Sequence, residues 1–161
     1  MKKITIIRHA KSSWKYQVID FERPLNERGL ADAVLVSTYA KTKIFKPDLI
    51  LSSDANRAKT TAGIFIKNLG FQEVAFQLNN KLYDFAGEDL IHTIKNCSQD
   101  INHLMLFGHN YAITSFVNIY GSVLYDNIPT SGLVSIEFDI DNWKKLIPGK
   151  TILKIFPKDL K

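Results

Sequence analysis

The amino-acid sequence predicts an α/β domain with a largely parallel sheet, and three observations lead to this class. Short β-branched or aliphatic runs alternate along the chain with segments that carry apolar residues at helical spacing. The length of 161 residues suits a single domain over residues 1–161. The apolar fraction of 45% and the charged fraction of 23% are ordinary for a globular protein.

Six segments are predicted to be strands. The first is a short β-branched run just before Arg8 and His9, which is typical of a buried strand. The last two are joined by a loop with Pro148 and Gly149 and no helix, so the final strand is expected to be antiparallel. The six segments are residues 4–7, 48–52, 74–78, 104–107, 133–139 and 151–156.

Four helices are predicted between these strands. Asn26 is the expected N-cap of the first helix, and Leu30, Ala33 and Val34 are its expected apolar side. The second helix spans the apolar positions of residues 58–69 and ends at Gly70. The third follows Gly87, and the fourth covers residues 113–120 before Gly121.

Composition narrows the possible partners and location. The net charge is +5, but lysines are scattered without a dense basic run, so no nucleic-acid partner is expected. No apolar stretch approaches the roughly 20 residues of a membrane span, so no membrane partner is expected. Cys97 is the only cysteine, which excludes an internal disulfide and fits a reducing compartment. We therefore expect a cytoplasmic protein.

The split between the two basic residue types is more specific. The chain holds 17 lysines but only four arginines, at positions 8, 23, 28 and 57. The planar guanidinium fork suits two phosphate oxygens, whereas the lysine ammonium is a point charge. Sparse arginine in a lysine-rich chain therefore indicates specific roles for these side chains.

Chemically active side chains follow four predicted strands. Arg8 and His9 follow the first strand, Arg57 lies in the first turn of the helix after the second, Asp84 follows the third and His109 the fourth. Ligands of parallel sheets bind outside the carboxyl ends of the strands. The sequence therefore predicts that two arginines, two histidines and a carboxylate meet at one edge of the sheet.

This set of side chains suits phosphoryl transfer. Arginines and helix N-termini neutralise phosphoryl oxygens, and a neutral imidazole can attack phosphorus and form a covalent intermediate. Catalysis of phosphoryl transfer depends mainly on positioning the reacting groups and stabilising the charge of the phosphoryl oxygens. We find no H-x-x-x-H, paired-carboxylate, C-x-x-C or Walker-type motif, so we predict a metal-independent phosphatase without a cofactor.

Four sequence motifs carry a further signal. They are Ile6-Ile7-Arg8-His9-Ala10-Lys11-Ser12, Arg23-Pro24-Leu25-x-x-x-Gly29, Ser52-Ser53-x-Ala55-x-Arg57-Ala58-x-x-Thr61-Ala62 and Gly108-His109-Asn110. These motifs resemble those of the histidine phosphatase superfamily, whose fold is phosphoglycerate mutase-like, and in particular its short SixA-type phosphohistidine phosphatase branch. The resemblance covers essentially the whole chain and implies a three-layer α/β/α sandwich with a mostly parallel, mixed sheet. It also implies a phosphohistidine intermediate on His9, with Arg8, Arg57 and His109 around the phosphoryl oxygens.

Other roles follow from the same resemblance. A protonated His109 would donate to the phosphoryl oxygens. Asp84 stands where larger members of the superfamily carry a glutamate general acid; Glu88 is the alternative, and a third possibility is that no acid exists. Lys11, Ser12 and Arg23 are candidate substrate contacts. Lys11 is explained equally well as a solvated lysine, and Ser12 as part of a structural turn.

The short chain leaves no room for a large cap domain, so we expect an open site. Because an open site admits a group carried on a protein, the expected substrate is a phosphohistidine on a protein. A phosphatase for a small metabolite, such as a sugar phosphate or nucleotide, is the alternative enzyme. A non-catalytic module that binds phosphoproteins is the alternative outside enzymes. The remaining histidines, His92 and His103, are expected to be surface or capping residues.

Overall fold

A six-stranded mixed sheet with four helices forms the centre of the molecule in the computed structural model, which describes all 161 residues. Four single turns of 3-10 helix lie in the connections, at Asp20–Glu22, Asn80–Leu82, Trp143–Lys145 and Pro157–Leu160. Every predicted strand and helix is present. In chain order they are β1 Lys2–Arg8, α1 Glu27–Ala40, β2 Leu49–Ser52, α2 Asn56–Leu69, β3 Phe76–Leu78, α3 Glu88–Lys95, β4 His103–Gly108, α4 Ala112–Tyr120, β5 Leu133–Phe138 and β6 Lys150–Ile155.

The strands are ordered β3-β2-β4-β1-β5-β6. The first four in this order are parallel, whereas β5 is antiparallel to β1 and β6 is antiparallel to β5. The expected antiparallel end of the sheet therefore comprises two strands. Arg8 pairs with Gly108 in the register, so the ends of β1 and β4 place Arg8, His9 and His109 side by side.

The sheet is covered on both faces, which gives the predicted three-layer sandwich. Successive side chains of a strand point to opposite faces, and the adjacent Ile6 and Ile7 accordingly belong to different core clusters. One cluster joins the sheet to α3 and α4, and the other joins it to α1 and α2. All six residues of β4 are buried. None of the helices combines the length and apolar character that crossing a bilayer requires.

The buried face of α1 differs from the prediction at two of three positions, whereas Ala33 is buried as predicted. Leu30 is 44% exposed and Val34 is 47% exposed, while Asp32 and Ser37 are buried. The ammonium of Lys161 lies 2.9 Å from the carboxylate of Asp32, which compensates the burial of that charge. The helix packs through small residues because its first turn lies directly against the backbone of the loop after β1.

Gly29 is the residue that permits this close approach. An added Cβ atom there would lie 2.1 Å from the carbonyl oxygen of Lys11. The same carbonyl accepts a hydrogen bond from the amide of Asn26 at 3.0 Å. The glycine of the Arg23-Pro24-Leu25-x-x-x-Gly29 motif therefore fixes the loop that carries Lys11 and Ser12.

We expect Gly29→Ala to destabilise the protein by about 1–3 kcal/mol, because the loop must move to admit the methyl group. Urea unfolding measures the change, and phosphatase activity should fall with it. Gly63→Ala in α2 is the matched control, since its Cβ atom meets nothing within 4 Å. That variant should gain about 0.5–1 kcal/mol. Equal effects of the two substitutions would contradict the close approach.

Candidate active site

The carboxyl ends of β1, β2 and β4 bring together four of the predicted site residues. The imidazole ring centroids of His9 and His109 are 5.1 Å apart. The Nε atom of Arg57, from the first turn of α2, lies 3.3 Å from Nε2 of His9. Arg8 ends β1 beside them, and its Nη1 donates to the carbonyl of Ile128 at 2.8 Å.

The hydrogen bonds of His9 fix the tautomer that a nucleophile needs. Its Nδ1 lies 2.7 Å from the carbonyl oxygen of Ala10. A carbonyl can only accept, so the hydrogen is on Nδ1 and the lone pair is on Nε2, facing Arg57. Burial lowers the pKa of His9 to about 3, because the charges of Arg57, Arg8 and Arg23 add to the effect of burial and the hydrogen bond to Ala10, which acts to raise the pKa, does not offset them. The ring is therefore neutral at neutral pH.

Arg57 is held by Asp20, a residue that the sequence analysis did not single out. Its Nη1 donates to the main-chain carbonyl of Asp20 at 2.7 Å, and its Nη2 donates to Oδ2 of the same residue at 2.9 Å. These two hydrogen bonds occupy the Nη atoms of the guanidinium, and its Nε side faces His9. Asp20 therefore orients the Nε side of Arg57 toward His9.

Two further side chains converge on the Asp20 carboxylate. The hydroxyl of Tyr83 donates to Oδ2 at 2.6 Å, and Nη1 of Arg23 donates to Oδ1 at 3.1 Å. Partial burial acts to raise the pKa of Asp20, but the hydrogen bonds from Tyr83, Arg57 and Arg23 outweigh it and hold that pKa well below its usual range. Asp20 is therefore an ionised carboxylate. Its only sequence signal is its place three residues before Arg23.

The predicted substrate contacts occupy one wall of the site. Arg23 is buried, donates to the carbonyl of Ser13 at 3.1 Å, and stacks 3.3 Å from the ring centroid of Trp14. Its Nη2 also donates to the hydroxyl of Ser12. Lys11 is exposed at the rim. Arg23 and Ser12 thus bond to each other, and Lys11 places an exposed positive charge beside them.

These residues line a cavity of about 230 Å³ at the sheet edge. A larger cavity of about 580 Å³ lies beside α3 but contains no arginine, so chemistry rather than size identifies the site. The lining of the smaller cavity comprises Arg8, His9, Lys11, Ser12, Trp14, Arg23, Arg57, Phe85, Asn110 and Thr130.

His109 lies behind this lining and is only 1% exposed. The edges of Tyr83 and Phe85 pack against its ring at centroid distances of 5.3 and 5.2 Å, and its Nε2 lies 2.8 Å from the hydroxyl of Ser53. Burial, followed by the charges of His9 and Arg57, lowers the pKa of His109 to about 2. The surroundings therefore hold the His109 ring neutral at neutral pH, and its protonation beside a phosphoryl group stays a prediction.

The expected general acid, Asp84, has a different task in the structure. Its two carboxylate oxygens accept hydrogen bonds from the amides of Ala86, Gly87 and Leu90, each at 3.0 Å. These contacts fix the turn that begins α3 and commit the carboxylate to the backbone. The alternative, Glu88, is exposed at the first position of α3, as a helix-start carboxylate would be. Neither carboxylate bonds to the histidines or arginines of the site.

Buried polar atoms without a hydrogen-bond partner concentrate here. Three of the four such side-chain atoms in the protein are Nε of Arg8, Nδ1 of His109 and Oγ of Ser131. The amide of Ser131 bonds to the carbonyls of Arg8 and His9 at 3.1 and 3.2 Å, which places this residue at the site. A buried polar atom without a partner costs free energy. The arrangement therefore suits a polar ligand.

The buried histidines make stability depend on pH. His103, expected to be a surface or capping residue, is the buried first residue of β4, and its Nε2 lies 2.9 Å from the hydroxyl of Thr5. Burial lowers its pKa to about 4. For all three buried histidines, the unfolded state binds protons below pH 6.5 while the folded state stays neutral. Their contribution is complete above pH 6.5 and is lost as the pH falls toward the folded values.

We expect unfolding to require roughly 2 kcal/mol less per buried histidine at pH 5 than at pH 7.5. Urea denaturation at both pH values measures this difference. His103→Gln should reduce this difference in unfolding free energy by the contribution of one histidine, because the titrating side chain has been removed. The matched control is His92→Gln, since His92 is exposed on α3. Identical stability of the wild type at the two pH values would contradict neutral buried histidines.

Comparisons with known proteins agree with this geometry. Residues 4–117 match the histidine phosphatase superfamily, branch 1. The chain therefore belongs to the histidine phosphatase superfamily and is a phosphatase, as its strand-end motifs predict.

Similar proteins come from several sources. A structure from Agrobacterium tumefaciens, provisionally assigned as the phosphohistidine phosphatase SixA, is 25% identical and has a TM-score of 0.82 over 97% of this chain and 98% of its own. The protein histidine phosphatase SixA, solved with tungstate, is 17% identical with a TM-score of 0.77 over 99% of each chain. An uncharacterized protein of Mycobacterium tuberculosis is 25% identical over 89% of this chain and 93% of its own length.

Proposed function

We propose that this phosphatase removes the phosphoryl group from phosphohistidine on a protein, by way of a phosphohistidine intermediate on His9. The observation that carries the proposal is the lone pair of His9 Nε2. It lies 3.3 Å from Nε of Arg57 at an open cavity whose nearby carboxylates cannot donate a proton. The proposal also assigns catalytic roles to Arg8, Arg57 and His109.

In the first step, Nε2 of His9 attacks phosphorus while the bond to the leaving group breaks. The ring becomes positively charged, and the hydrogen bond from Nδ1 to the carbonyl of Ala10 stabilises that charge. Arg57 presents its Nε side to the phosphoryl oxygens while Asp20 keeps its other end in place. Water then attacks phosphorus, the electron pair of the broken P–N bond returns to Nε2, and the two protons of the water leave with the product as dihydrogen phosphate.

Unpartnered donors support the binding of a phosphoryl dianion. Nε of Arg8 is a buried N–H without an acceptor, and Nδ1 of His109 is likewise unpartnered. The Ser53 hydroxyl accepts from the amide of Ala55, so its own hydrogen is free to donate to Nε2 of His109. That arrangement leaves the hydrogen of His109 on Nδ1. A bound dianion would also raise the pKa of His109 by its opposite charge.

The choice of phosphohistidine rests on the leaving group. An ester oxygen that leaves as an alkoxide needs a proton from a general acid, worth about 10²–10⁴-fold in rate. The nearby carboxylates do not supply it, because Asp20 is ionised and Asp84 is bound to backbone amides. The imidazole of phosphohistidine can leave while it carries a proton of its own. A site without an acid therefore favours this substrate.

The rim of the cavity supports a phosphohistidine carried by a protein. Trp14 is 81% exposed and Phe85 is 46% exposed, and both line the cavity. Tyr111, beside the lining residue Asn110, is 54% exposed. Aromatic side chains at the surface are enriched in protein–protein interfaces. An open mouth surrounded by aromatic rings suits the surface of a protein better than a small sugar phosphate.

The test compares a phosphohistidine-bearing protein with a panel of sugar phosphates and nucleotides. We expect kcat/KM on phosphohistidine to exceed that on the esters by at least about 100-fold. Rapid quenching should trap an acid-labile phosphoenzyme, and mass spectrometry should locate the label on His9. Equal efficiency on both classes would contradict the proposed substrate, and a preferred metabolite would identify the small-molecule phosphatase instead.

A further inference from the structure

We propose that Asp20 determines which leaving group the enzyme accepts: its carboxylate binds the protonated imidazole of phosphohistidine and repels the anionic oxygen of a phosphate ester. The inference rests on the proposed substrate and adds a specificity-determining residue to that site. The observation behind it is that Asp20 is the carboxylate to which Arg23 and Arg57, two arginines of the cavity lining, are bonded.

The proposal places the leaving group on the side of Arg57 where Asp20 lies. Displacement at phosphorus places the leaving atom on the side opposite the attacking Nε2 of His9. Arg57 lies between His9 and Asp20, with Nε toward the first and both Nη atoms toward the second. The Asp20 side chain is 45% exposed, so it stands on the solvent side of Arg57. A departing group therefore passes beside this carboxylate.

The segment after β3 supports the same position. This is the segment in which a general acid was expected, and its Tyr83 points the hydroxyl to Oδ2 of Asp20 at 2.6 Å. The carboxylate at this place in the site therefore comes from the loop after β1 and not from Asp84. Tyr83 donates its hydrogen to Asp20 and cannot at the same time donate it to a leaving oxygen.

The carboxylate is fixed but not saturated. Its two oxygens offer about four acceptor positions. Arg57 and Tyr83 occupy two on Oδ2, and Arg23 occupies one on Oδ1. One position on Oδ1 remains, and the partial exposure of the side chain makes it accessible. An N–H group of a substrate can fill it without breaking the contacts that hold Asp20.

The chemistry gives Asp20 opposite effects on the two substrate classes. In phosphohistidine, the ring nitrogen that is not bonded to phosphorus carries a hydrogen, and the protonated ring is a cation that Asp20 attracts. The P–N bond breaks, its electron pair goes to the ring, and a neutral imidazole leaves as His9 takes up the positive charge. In an ester, the electron pair goes to oxygen, and negative charge develops beside an ionised carboxylate.

The test is Asp20→Asn, which removes the charge but keeps an oxygen that can accept from Arg57. The substrates are a phosphohistidine-containing peptide and p-nitrophenyl phosphate. We expect the ratio of kcat/KM on the peptide to that on the ester to fall about tenfold or more. Activity on the peptide should also decline at a lower alkaline pH than in the wild type, because the protonated ring is no longer stabilised.

The control is Glu22→Gln, which removes one negative charge from the same 3-10 turn. Glu22 is exposed and its side chain bonds to no other group. The substrate ratio should stay within about twofold of wild type, because exposed charges are well screened. If Asp20→Asn lowered kcat/KM equally on both substrates, Asp20 would act only by orienting Arg57, and the inference would be overturned. A wild type active on the ester but inactive on the peptide would overturn the proposed substrate, and the inference with it.

Discussion

Replacing His9 with alanine is expected to abolish nearly all phosphatase turnover, by a factor on the order of 10⁴ or more. The side chain supplies the lone pair that would form the covalent bond to phosphorus, and no second nucleophile faces Arg57. His109 cannot take over, because its Nε2 is bonded to the Ser53 hydroxyl and its Nδ1 carries the hydrogen. A chromogenic phosphate ester gives the rate, and rapid quenching shows whether a phosphoenzyme forms.

A matched control separates the loss of the nucleophile from a loss of folding. His9→Asn keeps a polar side chain at this buried position, and its circular dichroism and unfolding midpoint should remain close to wild type. His92→Ala removes an exposed histidine from α3 and should leave turnover within about twofold of wild type, as surface substitutions usually do. A folded His9→Asn variant with undiminished activity would remove His9 from the proposed reaction.

Most of the fold was predictable because periodicity and chain order decide it. Alternation of short apolar runs with helical segments indicates parallel strands joined by helices, and the glycines at 70 and 121 mark two helix ends. The buried face of α1 was not predictable in the same way. The sequence predicts an apolar side of Leu30, Ala33 and Val34, yet the helix also buries Asp32, whose charge is paired with Arg28 and with the distant Lys161. That pairing depends on where the end of the chain lies.

The candidate site also contains residues that the sequence could predict and residues that it could not. Arg8, His9, Arg57 and His109 were identifiable because strand ends of a parallel sheet converge at one edge. Asp20 was not, because it lies in a long loop without periodicity and its contacts to Arg57 and Tyr83 join segments that are 37 and 63 residues away. Asp84 was assigned a role by its place after β3, but its hydrogen bonds to backbone amides depend on the turn that follows.

Arg57→Lys should be the second severe substitution, with a loss of about 10²–10³-fold in kcat. Lysine keeps the positive charge but not the planar fork. Three directed hydrogen bonds are lost together: one to Nε2 of His9 and two to Asp20. The ammonium cannot face the nucleophile and hold Asp20 at the same time. Steady-state kinetics measures the change, and inhibition by vanadate reports whether the site still binds an oxyanion.

Arg28→Lys is the control that isolates geometry from charge. Arg28 is also in the first turn of a helix, but its side chain is 63% exposed and its ion pair with Asp32 spans 3.5 Å. The same chemical change there should alter kcat by less than about twofold, since exposed ion pairs contribute little. Comparable small effects at the two positions would mean that Arg57 acts only as a positive charge. A large effect confined to Arg57 would instead assign the activity to a guanidinium that Asp20 fixes against the nucleophile.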